Sequence, residues 1–423
     1  MTGTDVNVAA GGGTDSVAPR RRRRRWPVVL GTVLGVLVVA WFAAAWYFTD
    51  VFYDDALRVE PPPVTPEPDS QVVAVDAATI TLEPWDDDAE LRAPGTWGLW
   101  WDGGYGVLTD VVDADDDAVT RAFDVVAGTA PPPGTPADVD KYVFGDDPDD
   151  VLGLTWEPVA IETELGPMAA WWVPAPEGAA ASDVPETWAI LVHGKGSGPD
   201  EMLRMLEPVH AAGLPALVVT YRGDRDRPTD PSGVYRYGET EWADLDAAVA
   251  YAVDQGAQRL VLGGASTGAA LIGAWLDRGE HTEATAAVVL DSANADPGRT
   301  FEHVAAQRTV PGTSVPLPPG LAWTAFRLAE LRFPLDLAAA DVSDTLATLD
   351  VPVLLAHGTG DPRVPVEASR DLVAEREAAG LPTAYLETDA GPHVGSYNDD
   401  PDAYRDAVAQ LLDEALGVSD ADA

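Results

Sequence analysis

The 423-residue chain contains no cysteine, only six histidines and only two lysines. Without cysteine it can form no disulfide, use no thiol nucleophile and carry no lipid on a cysteine. With 70 acidic and 26 basic residues, its net charge of −44 disfavours binding to nucleic acid or to anionic lipid headgroups. The composition therefore excludes thiol chemistry and predicts no nucleic-acid partner.

The most informative motif is a serine in a tight turn. An apolar run at 259–263 predicts a buried strand, which ends at Gly264-Ala-Ser266-Thr-Gly268, and an alanine-rich segment after it predicts a helix. In the G-x-S-x-G pattern, small residues on both sides let the chain turn sharply and expose the serine hydroxyl. The pattern also occurs by chance in glycine-rich chains, but here the flanking strand and helix favour a nucleophile at Ser266. The helix would direct the Thr267 N–H toward an oxyanion formed there.

A serine hydroxyl needs a base to become a nucleophile, and the base needs a group that orients it. In folds that place the serine on such a turn, the acid and then the histidine follow it in the chain. His281 lies in a polar turn and His303 in a helix-like run, whereas His357 ends a strand and is expected to brace the next turn. His393 fits best, because it lies in a Gly/Pro loop between a predicted strand and the C-terminal helix.

The predicted orienting carboxylate is Asp361, which follows the apolar strand 351–356 in the sequence Gly-Thr-Gly-Asp-Pro-Arg-Val-Pro. An acidic chain offers an aspartate near almost any point, but this arrangement directly after a buried strand is specific. The chain order Ser266, Asp361, His393 therefore predicts a catalytic triad.

A second glycine-rich loop, His193-Gly-Lys-Gly-Ser-Gly198, follows the apolar run 188–192. In this type of fold, the loop after the third strand supplies one backbone N–H to the oxyanion hole. The Lys195 amide is the predicted second donor, with Gly194 and Gly196 as alternatives, and the Lys195 side chain is a candidate contact to substrate. The loop lacks the glycine and lysine spacing of nucleotide-binding loops, which argues against a phosphate site.

Apolar strands alternate with helical segments through this region, which predicts a mostly parallel, doubly wound sheet whose carboxyl-edge loops meet. Five motifs resemble those of the α/β-hydrolase superfamily, in its serine-aminopeptidase-like, esterase and lipase branch: His193-Gly-Lys-Gly, Tyr221-Arg-Gly, Gly264-Ala-Ser-Thr-Gly268, His357-Gly-Thr-Gly-Asp361-Pro-Arg-Val-Pro and Gly391-Pro-His393. The resemblance covers residues 155–418 and implies an α/β-hydrolase fold that works without a metal or organic cofactor. Thr267 and Ala269 depart from the residues common in relatives, but both are small and should keep the geometry of the turn.

An insertion at about residues 295–349 interrupts the alternation of strands and helices. It contains several prolines, followed by an amphipathic run. In such folds an insertion here is usually a helical lid over the acyl pocket, and Trp323, Phe326, Leu328 and Phe333 are candidates to line that pocket. The alternative is that these side chains only attach the insertion to the core.

One long apolar run lies near the N-terminus. Residues 26–48 are uncharged and long enough to cross a hydrocarbon core of about 30 Å. The six arginines at 20–25 predict that the tail 1–25 stays in the cytoplasm, which places the rest of the chain outside. A signal peptide cleaved near residues 43–45 is the alternative, although the run is longer than the usual apolar region of about 7–15 residues.

Two segments lie between this transmembrane helix and the predicted hydrolase domain at 156–418. Residues 49–68 are expected to form a spacer, kept extended by the proline-rich stretch 61–68. Residues 69–155 contain short alternating runs that predict a small β-rich module with a hairpin turning at Asp102-Gly103. Four aromatic residues are expected in the core of this module, with carbohydrate binding or an active-site rim as the alternatives: Trp97, Trp100, Trp101 and Tyr105.

The acidic clusters raise the question of calcium. The series Asp113-x-Asp115-x-Asp117 begins like an EF-hand loop, but Ala118 stands where glycine is needed and Asp124 where glutamate is needed. We therefore expect solvated turns and no metal site.

These features together predict a membrane-anchored, extracytoplasmic serine hydrolase. It would cleave an ester or amide bond of a small-molecule or lipid-like acyl substrate through an acyl-enzyme intermediate. Two alternatives stay open: an acyltransferase that uses the same triad, and a non-catalytic binding or scaffold protein of the cell envelope.

Overall fold

The computed structural model describes residues 1–4, 12, 26–59, 68–85, 89–145, 147–178, 186–389 and 391–417. The arginine run 20–25 and nearly all of the proline-rich stretch lie outside these ranges. The chain divides into two compact units, Met1–Ala44 and Ala45–Ala423.

Helix α1 (Trp26–Phe52) contains the predicted membrane segment and continues into a π-helical turn, Tyr53–Leu57. Within the described residues, this is the one helix long and apolar enough to cross a membrane, a test that a signal sequence also passes. The predicted spacer at 49–68 is wrong at its start, because residues 49–57 are helical.

Six antiparallel strands form a closed barrel: β1 (Ser70–Val75), β2 (Thr79–Pro84), β3 (Trp97–Trp101), β4 (Gly104–Ala114), β5 (Val119–Gly128) and β6 (Pro136–Asp140). Their order is β1-β2-β5-β4-β3-β6, and β6 pairs back with β1. A short helix, α2 (Ala89–Arg92), lies between β2 and β3. The closed arrangement leaves neither edge of this small sheet unpaired.

The aromatic hairpin of the barrel has the predicted turn, since β3 and β4 are joined by Asp102 and Gly103 alone. Alternate side chains of each strand point inward. Trp97 and Trp101 belong to the barrel core, whereas Trp100 packs against Tyr105 with ring centroids 4.8 Å apart. The core interpretation therefore holds for Trp97 and Trp101.

A second sheet has eight strands: β7 (Glu157–Thr163), β8 (Gly166–Val173), β9 (Thr187–Val192), β10 (Ala216–Val219), β11 (Arg259–Ala265), β12 (Thr285–Asp291), β13 (Val353–Gly358) and β14 (Thr383–Thr388). Their order is β14-β13-β12-β11-β9-β10-β8-β7. The strands from β9 to β14 are mutually parallel, and β7 and β8 are antiparallel additions. Almost every residue of β9 to β13 is buried, as expected for a parallel sheet covered on both faces.

The remaining helices are α3 (Pro148–Leu152), α4 (Leu203–Ala211), α5 (Trp242–Asp254), α6 (Thr267–Arg278), α7 (Pro297–Ala306), α8 (Pro319–Arg332), α9 (Leu337–Ala340), α10 (Ser343–Thr348), α11 (Val366–Ala378), α12 (Ser396–Asp399) and α13 (Pro401–Leu416). Helices α7 to α10 lie between β12 and β13, so they form the predicted insertion. Because the parallel strands all point the same way, the loops after β9, β11, β13 and β14 reach one edge of the sheet.

The barrel packs against helix α12. The Thr96 N–H donates to the Asn398 carbonyl at 2.7 Å, and the Asn398 amide donates to the carbonyls of Thr96 and Lys141, each at 2.8 Å. Gly95 has a φ of 100°, and a side chain there would overlap the Asn398 carbonyl. Since Asn398 lies five residues after His393, the barrel is held next to the loop of the predicted base.

Candidate active site

Ser266 lies in the turn between β11 and α6 with φ 49° and ψ −113°. A positive φ is strained for a residue that carries a side chain, and such strain is typical of functional positions. Three backbone hydrogen bonds hold the turn: the Ser266 N–H donates to the Asp291 carbonyl at 2.8 Å, and the Ser266 carbonyl accepts from the Ala269 and Asn294 amides, each at 3.1 Å. The turn that the motif predicts is therefore present.

The two glycines of the motif allow this turn to pack closely. A side chain at Gly268 would overlap the Val192 carbonyl at the end of β9, and a Cβ at Gly264 would come within 2.9 Å of the Ala269 nitrogen. Both positions therefore need the absence of a side chain rather than a particular φ.

The structure brings the three predicted triad residues together. His393 Nε2 lies 2.7 Å from Ser266 Oγ, and His393 Nδ1 lies 2.7 Å from Asp361 Oδ2. All three side chains are buried. With the proton on Nδ1, His393 donates to Asp361 and accepts from the serine hydroxyl, which is the arrangement needed for a general base.

Asp361 is held as an anion. Its Oδ1 accepts hydrogen bonds from the Arg363 and Val364 amides at 2.8 and 3.0 Å. His357 Nε2 lies 3.2 Å from its Oδ2. Burial alone would raise the pKa of Asp361, but the hydrogen bonds from His357 and His393 hold that pKa well below its usual range. His357 thus braces the acid loop, as its place at the end of a strand predicts.

His393 is tuned toward its neutral form. Burial lowers its pKa, the Asp361 carboxylate partly offsets this, and the charges of Lys141 and Arg363 lower the pKa further. Only neutral imidazole can accept the proton of the serine hydroxyl.

We expect kcat/KM to fall on the acidic side with an apparent pKa below 6.5, the unperturbed value for histidine. The sign follows because a lowered pKa keeps His393 neutral to a lower pH, and activity is lost as the pH falls through that pKa. A pH profile of ester hydrolysis measures this limb. An acidic limb above the unperturbed value would contradict the expectation.

The predicted oxyanion donors have different surroundings. Thr267 is the first residue of α6, so its N–H has no acceptor within the helix. The Gly194 N–H donates instead to the buried Glu201 Oε2 at 2.6 Å, an oxygen that also accepts from Ser197 at 2.7 Å. This contact argues against Gly194 as an oxyanion donor and leaves Thr267 and Lys195 as the predicted pair, with Gly196 as the alternative to Lys195. The sequence alone does not single out Glu201, because nothing marks one glutamate among 70 acidic residues.

His193, at the start of the same loop, has a structural role. Its Nε2 lies 3.0 Å from Asp224 Oδ2, which also accepts from the Tyr221 N–H at 2.8 Å. Burial lowers the pKa of His193, but the charge and hydrogen bond of Asp224 outweigh it and raise the pKa to about 9. A cationic His193 joins the loops after β9 and β10 and cannot act as a base.

Ser266 opens into a cavity of about 610 Å³, which we call the Ser266 cavity. Its apolar wall is formed by side chains of α7, α8, the segment between them and the last turns of α1: Phe48, Val51, Phe52, Phe301, Val304, Leu317, Ala322, Ala325 and Phe326. A volume of this size fits the usual range of small-molecule sites.

Of the aromatic residues predicted for the pocket, only Phe326 lines the cavity. The prediction for Trp323 and Phe333 is wrong: Trp323 is 56% exposed, and Phe333 stacks on Tyr53 with centroids 4.8 Å apart. Leu328 is likewise absent from the lining. The buried side of α8 is formed by Ala322, Ala325, Phe326 and Ala329. Trp323 and Leu328 are not on that side of the helix, and Phe333 follows its last residue.

The end of α1 packs on the insertion. Its buried residues, and those of the π-helical turn, recur along one side: Ala45, Thr49, Phe52 and Leu57. The Thr49 hydroxyl donates to the Ala325 carbonyl at 3.0 Å. The Phe52 ring meets Phe301 and Phe326 edge-on, with centroids 4.7 and 5.1 Å away. The residues expected to form a spacer therefore build part of the cavity wall.

Three features of the large sheet decide its fold: the strand order, the serine turn between β11 and α6, and the acid and histidine placed after β13 and β14. The chain has the α/β-hydrolase fold. Its motifs lie where that fold places them, at the carboxyl edge of the parallel strands. The closed barrel before it is a separate module, and residues 71–140 match the model of a domain of unknown function, DUF8805.

Several solved structures are similar to this chain. The esterase Pf2001 of Pyrococcus furiosus is 20% identical, with 65% of this chain and 98% of that chain covered and a TM-score of 0.48. Est1E of Butyrivibrio proteoclasticus is 16% identical over 61% and 99%, with a TM-score of 0.45. The acylaminoacyl peptidase of Pyrococcus horikoshii is 13% identical over 82% and 56%, with a TM-score of 0.46.

At these identities the likeness concerns the fold alone. The chain spans little more than half of the acylaminoacyl peptidase. A search of the curated proteins found no match. In the parts of the chain that the structure describes, no group of three or more His, Asp or Glu side chains is placed to hold a metal ion. The reaction has to be inferred from the geometry of the site.

Proposed function

We propose that this protein is a serine hydrolase that cleaves a carboxylic ester through an acyl-enzyme intermediate. The observation that carries the proposal is the hydrogen-bonded chain from Ser266 through His393 to Asp361, with both links at 2.7 Å, beside a cavity. A buried serine, histidine and ionised aspartate in this order and geometry can activate the serine oxygen.

In the first half of the reaction, Ser266 Oγ attacks the ester carbonyl carbon while His393 Nε2 takes the hydroxyl proton. The N–H groups of Thr267 and Lys195 stabilise the negative charge that develops on the carbonyl oxygen. His393 then gives its proton to the leaving alcohol oxygen, the carbon–oxygen bond breaks, and the acyl group stays on Ser266. Asp361 remains ionised and holds the imidazole in the Nδ1–H tautomer.

In the second half, His393 takes a proton from water, and the resulting hydroxide attacks the acyl carbonyl. The proton returns to Ser266 Oγ as the acid leaves, which restores the starting state. No step requires a metal or an organic cofactor.

A membrane setting for this reaction is part of the proposal. We infer that α1 is an uncleaved anchor with a cytoplasmic N-terminus and an extracytoplasmic catalytic part, because six arginines precede its apolar run. The helix that contains this run also supplies Phe48, Val51 and Phe52 to the Ser266 cavity. An apolar acyl chain is the group that such a wall suits, so we propose a lipid-like ester as substrate.

Replacing Phe52 by alanine is expected to weaken the turnover of long-chain esters selectively. The ring contacts Phe301 and Phe326, and loss of its apolar surface should lower kcat/KM for p-nitrophenyl octanoate about tenfold more than for p-nitrophenyl acetate. Trp323→Ala is the matched control, since this aromatic residue of the insertion is outside the cavity. Equal effects of Phe52→Ala on both esters would contradict an acyl-binding role for the end of α1.

The test of the proposed function is hydrolysis of p-nitrophenyl esters by the full chain in detergent or nanodiscs. Any shortened version has to keep the residues from Ala45 onward, because they belong to the folded unit and its cavity wall. Release of p-nitrophenol with formation of the free acid supports a hydrolase. Product that appears mainly as a new ester when an alcohol is added would indicate an acyltransferase, and a folded protein with no turnover would overturn both.

A further inference from the structure

The Ser266 cavity is basic although the chain is strongly acidic. The net charge is −44, and the sequence holds only two lysines. Both lysines line this one cavity, and its charged lining consists of four cations and two carboxylates: Lys141, Lys195, Arg308, Arg363, Asp55 and Glu201. The partner of each cation decides whether its charge is already neutralised within the protein.

Two of the cations are directed at Asp55 in the π-helical turn. Arg308 Nη2 lies 2.5 Å from Asp55 Oδ2. Lys195 Nζ lies 3.5 Å from the Asp55 carbonyl oxygen and 5.1 Å from the centre of the Tyr235 ring. These two cations therefore help to hold the turn that forms the cavity wall.

The second carboxylate is already satisfied by other groups. Glu201 Oε2 accepts from the Gly194 amide and the Ser197 hydroxyl, and its Oε1 lies 3.7 Å from Arg204. Glu201 therefore has its own hydrogen-bond donors and a counter-ion in Arg204, and the more distant charge of Lys141 also lowers its pKa.

In the described part of the chain, Lys141 and Arg363 have no carboxylate in direct contact, although Lys141 Nζ lies 5.0 Å from the centre of the Tyr142 ring. Among the residues that the structure describes, no carboxylate lies within 4.0 Å of either charged group. Both are nevertheless fixed at the backbone: the Lys141 carbonyl accepts from Asn398 at 2.8 Å, and the Arg363 amide donates to Asp361 at 2.8 Å. They line the same cavity as His393, close enough for both charges to lower its pKa.

Cations that line one cavity without a carboxylate in contact repel each other and lose hydration, a cost that an anionic ligand reduces. His393 delivers its proton to the leaving oxygen, so groups beside it face the alcohol part of the ester. We propose that Lys141 and Arg363 bind an anionic group, a carboxylate or phosphate, on the leaving alcohol of the substrate.

This inference rests on the proposed function and refines it. It also assigns a role to the barrel, because Lys141 directly follows β6 and is held in place by the contact between the barrel and α12. The barrel would thus select substrates by presenting one of the chain's two lysines to the alcohol half of the ester.

The test compares two butyrate esters, one of neutral p-nitrophenol and one of the anionic 5-hydroxy-2-nitrobenzoate. In the full chain, Lys141→Gln and Arg363→Gln should each lower kcat/KM for the anionic ester by about 10- to 100-fold relative to the neutral ester. Lys141→Arg should keep most of the preference. Arg370→Gln is the matched control, because Arg370 pairs with Glu387 outside the cavity.

Equal losses for the two esters in Lys141→Gln and Arg363→Gln would overturn the inference, since they would mean that both residues only support the fold. Unchanged kinetics in both variants would overturn it as well. Failure of the proposed function looks different, because the unaltered chain would then hydrolyse neither ester.

Discussion

Replacement of Ser266 by alanine is expected to lower kcat by about 10⁶-fold, the scale seen when a triad nucleophile is removed. The variant keeps the cavity, but no oxygen remains to attack the carbonyl. Within the described residues the Ser266 side chain makes one hydrogen bond, to His393, so its loss should change the free energy of unfolding by only about 1 kcal/mol. Steady-state ester hydrolysis and thermal unfolding measure the two effects separately.

Ser232→Ala is the matched control for this variant. Ser232 is exposed, and its hydroxyl contacts Asp230 rather than the cavity, so the same atom is removed without touching the site. Hydrolysis retained by a clean preparation of Ser266→Ala would defeat the assignment of the nucleophile.

Asp361→Asn is expected to lower kcat by about 10⁴-fold. The carboxylate accepts from His393 and contacts His357 through the same oxygen. An asparagine amide that donates to His393 Nδ1 would force the imidazole proton onto Nε2, and Nε2 could then no longer accept the serine proton. The chain would keep its fold while losing the base in its active tautomer.

Asp371→Asn provides the comparison for Asp361→Asn, since Asp371 is an exposed acid on α11 that pairs with Arg299. Its kinetics should match those of the unaltered chain. A loss of less than about tenfold in Asp361→Asn would mean that another group orients His393, in conflict with the assigned role.

The sequence carries enough information for the large sheet and for the three residues that meet at its edge. Buried parallel strands appear as continuous apolar runs, and the serine turn needs glycines at fixed positions, so Gly264 and Gly268 mark it. Asp361 and His393 can be predicted because the fold requires the acid and then the histidine after the serine in the chain. The parallel strands bring the loops that carry them to the same edge of the sheet.

The cavity walls could not be predicted in the same way. Apolar side chains at the end of α1 would suit either a membrane or packing against α7 and α8. The composition of this segment therefore does not show that Phe52 lines the cavity whereas its neighbours toward the N-terminus could contact lipid. Trp323 is a large aromatic residue of the type that often lines pockets, but it is not on the buried side of its helix. Lys141 reaches the cavity only because the barrel closes and binds α12, a contact between positions 257 residues apart.

The most direct measurement is fluorophosphonate labelling of the full chain, with the adduct located by peptide mass spectrometry. A fluorophosphonate reacts with a serine oxygen only where a base and an oxyanion site activate it. A single adduct on Ser266, absent from Ser266→Ala and strongly slowed in Asp361→Asn, is the predicted result. A folded protein that takes no label, or that takes it on another serine, would contradict the assignment of Ser266 as the nucleophile.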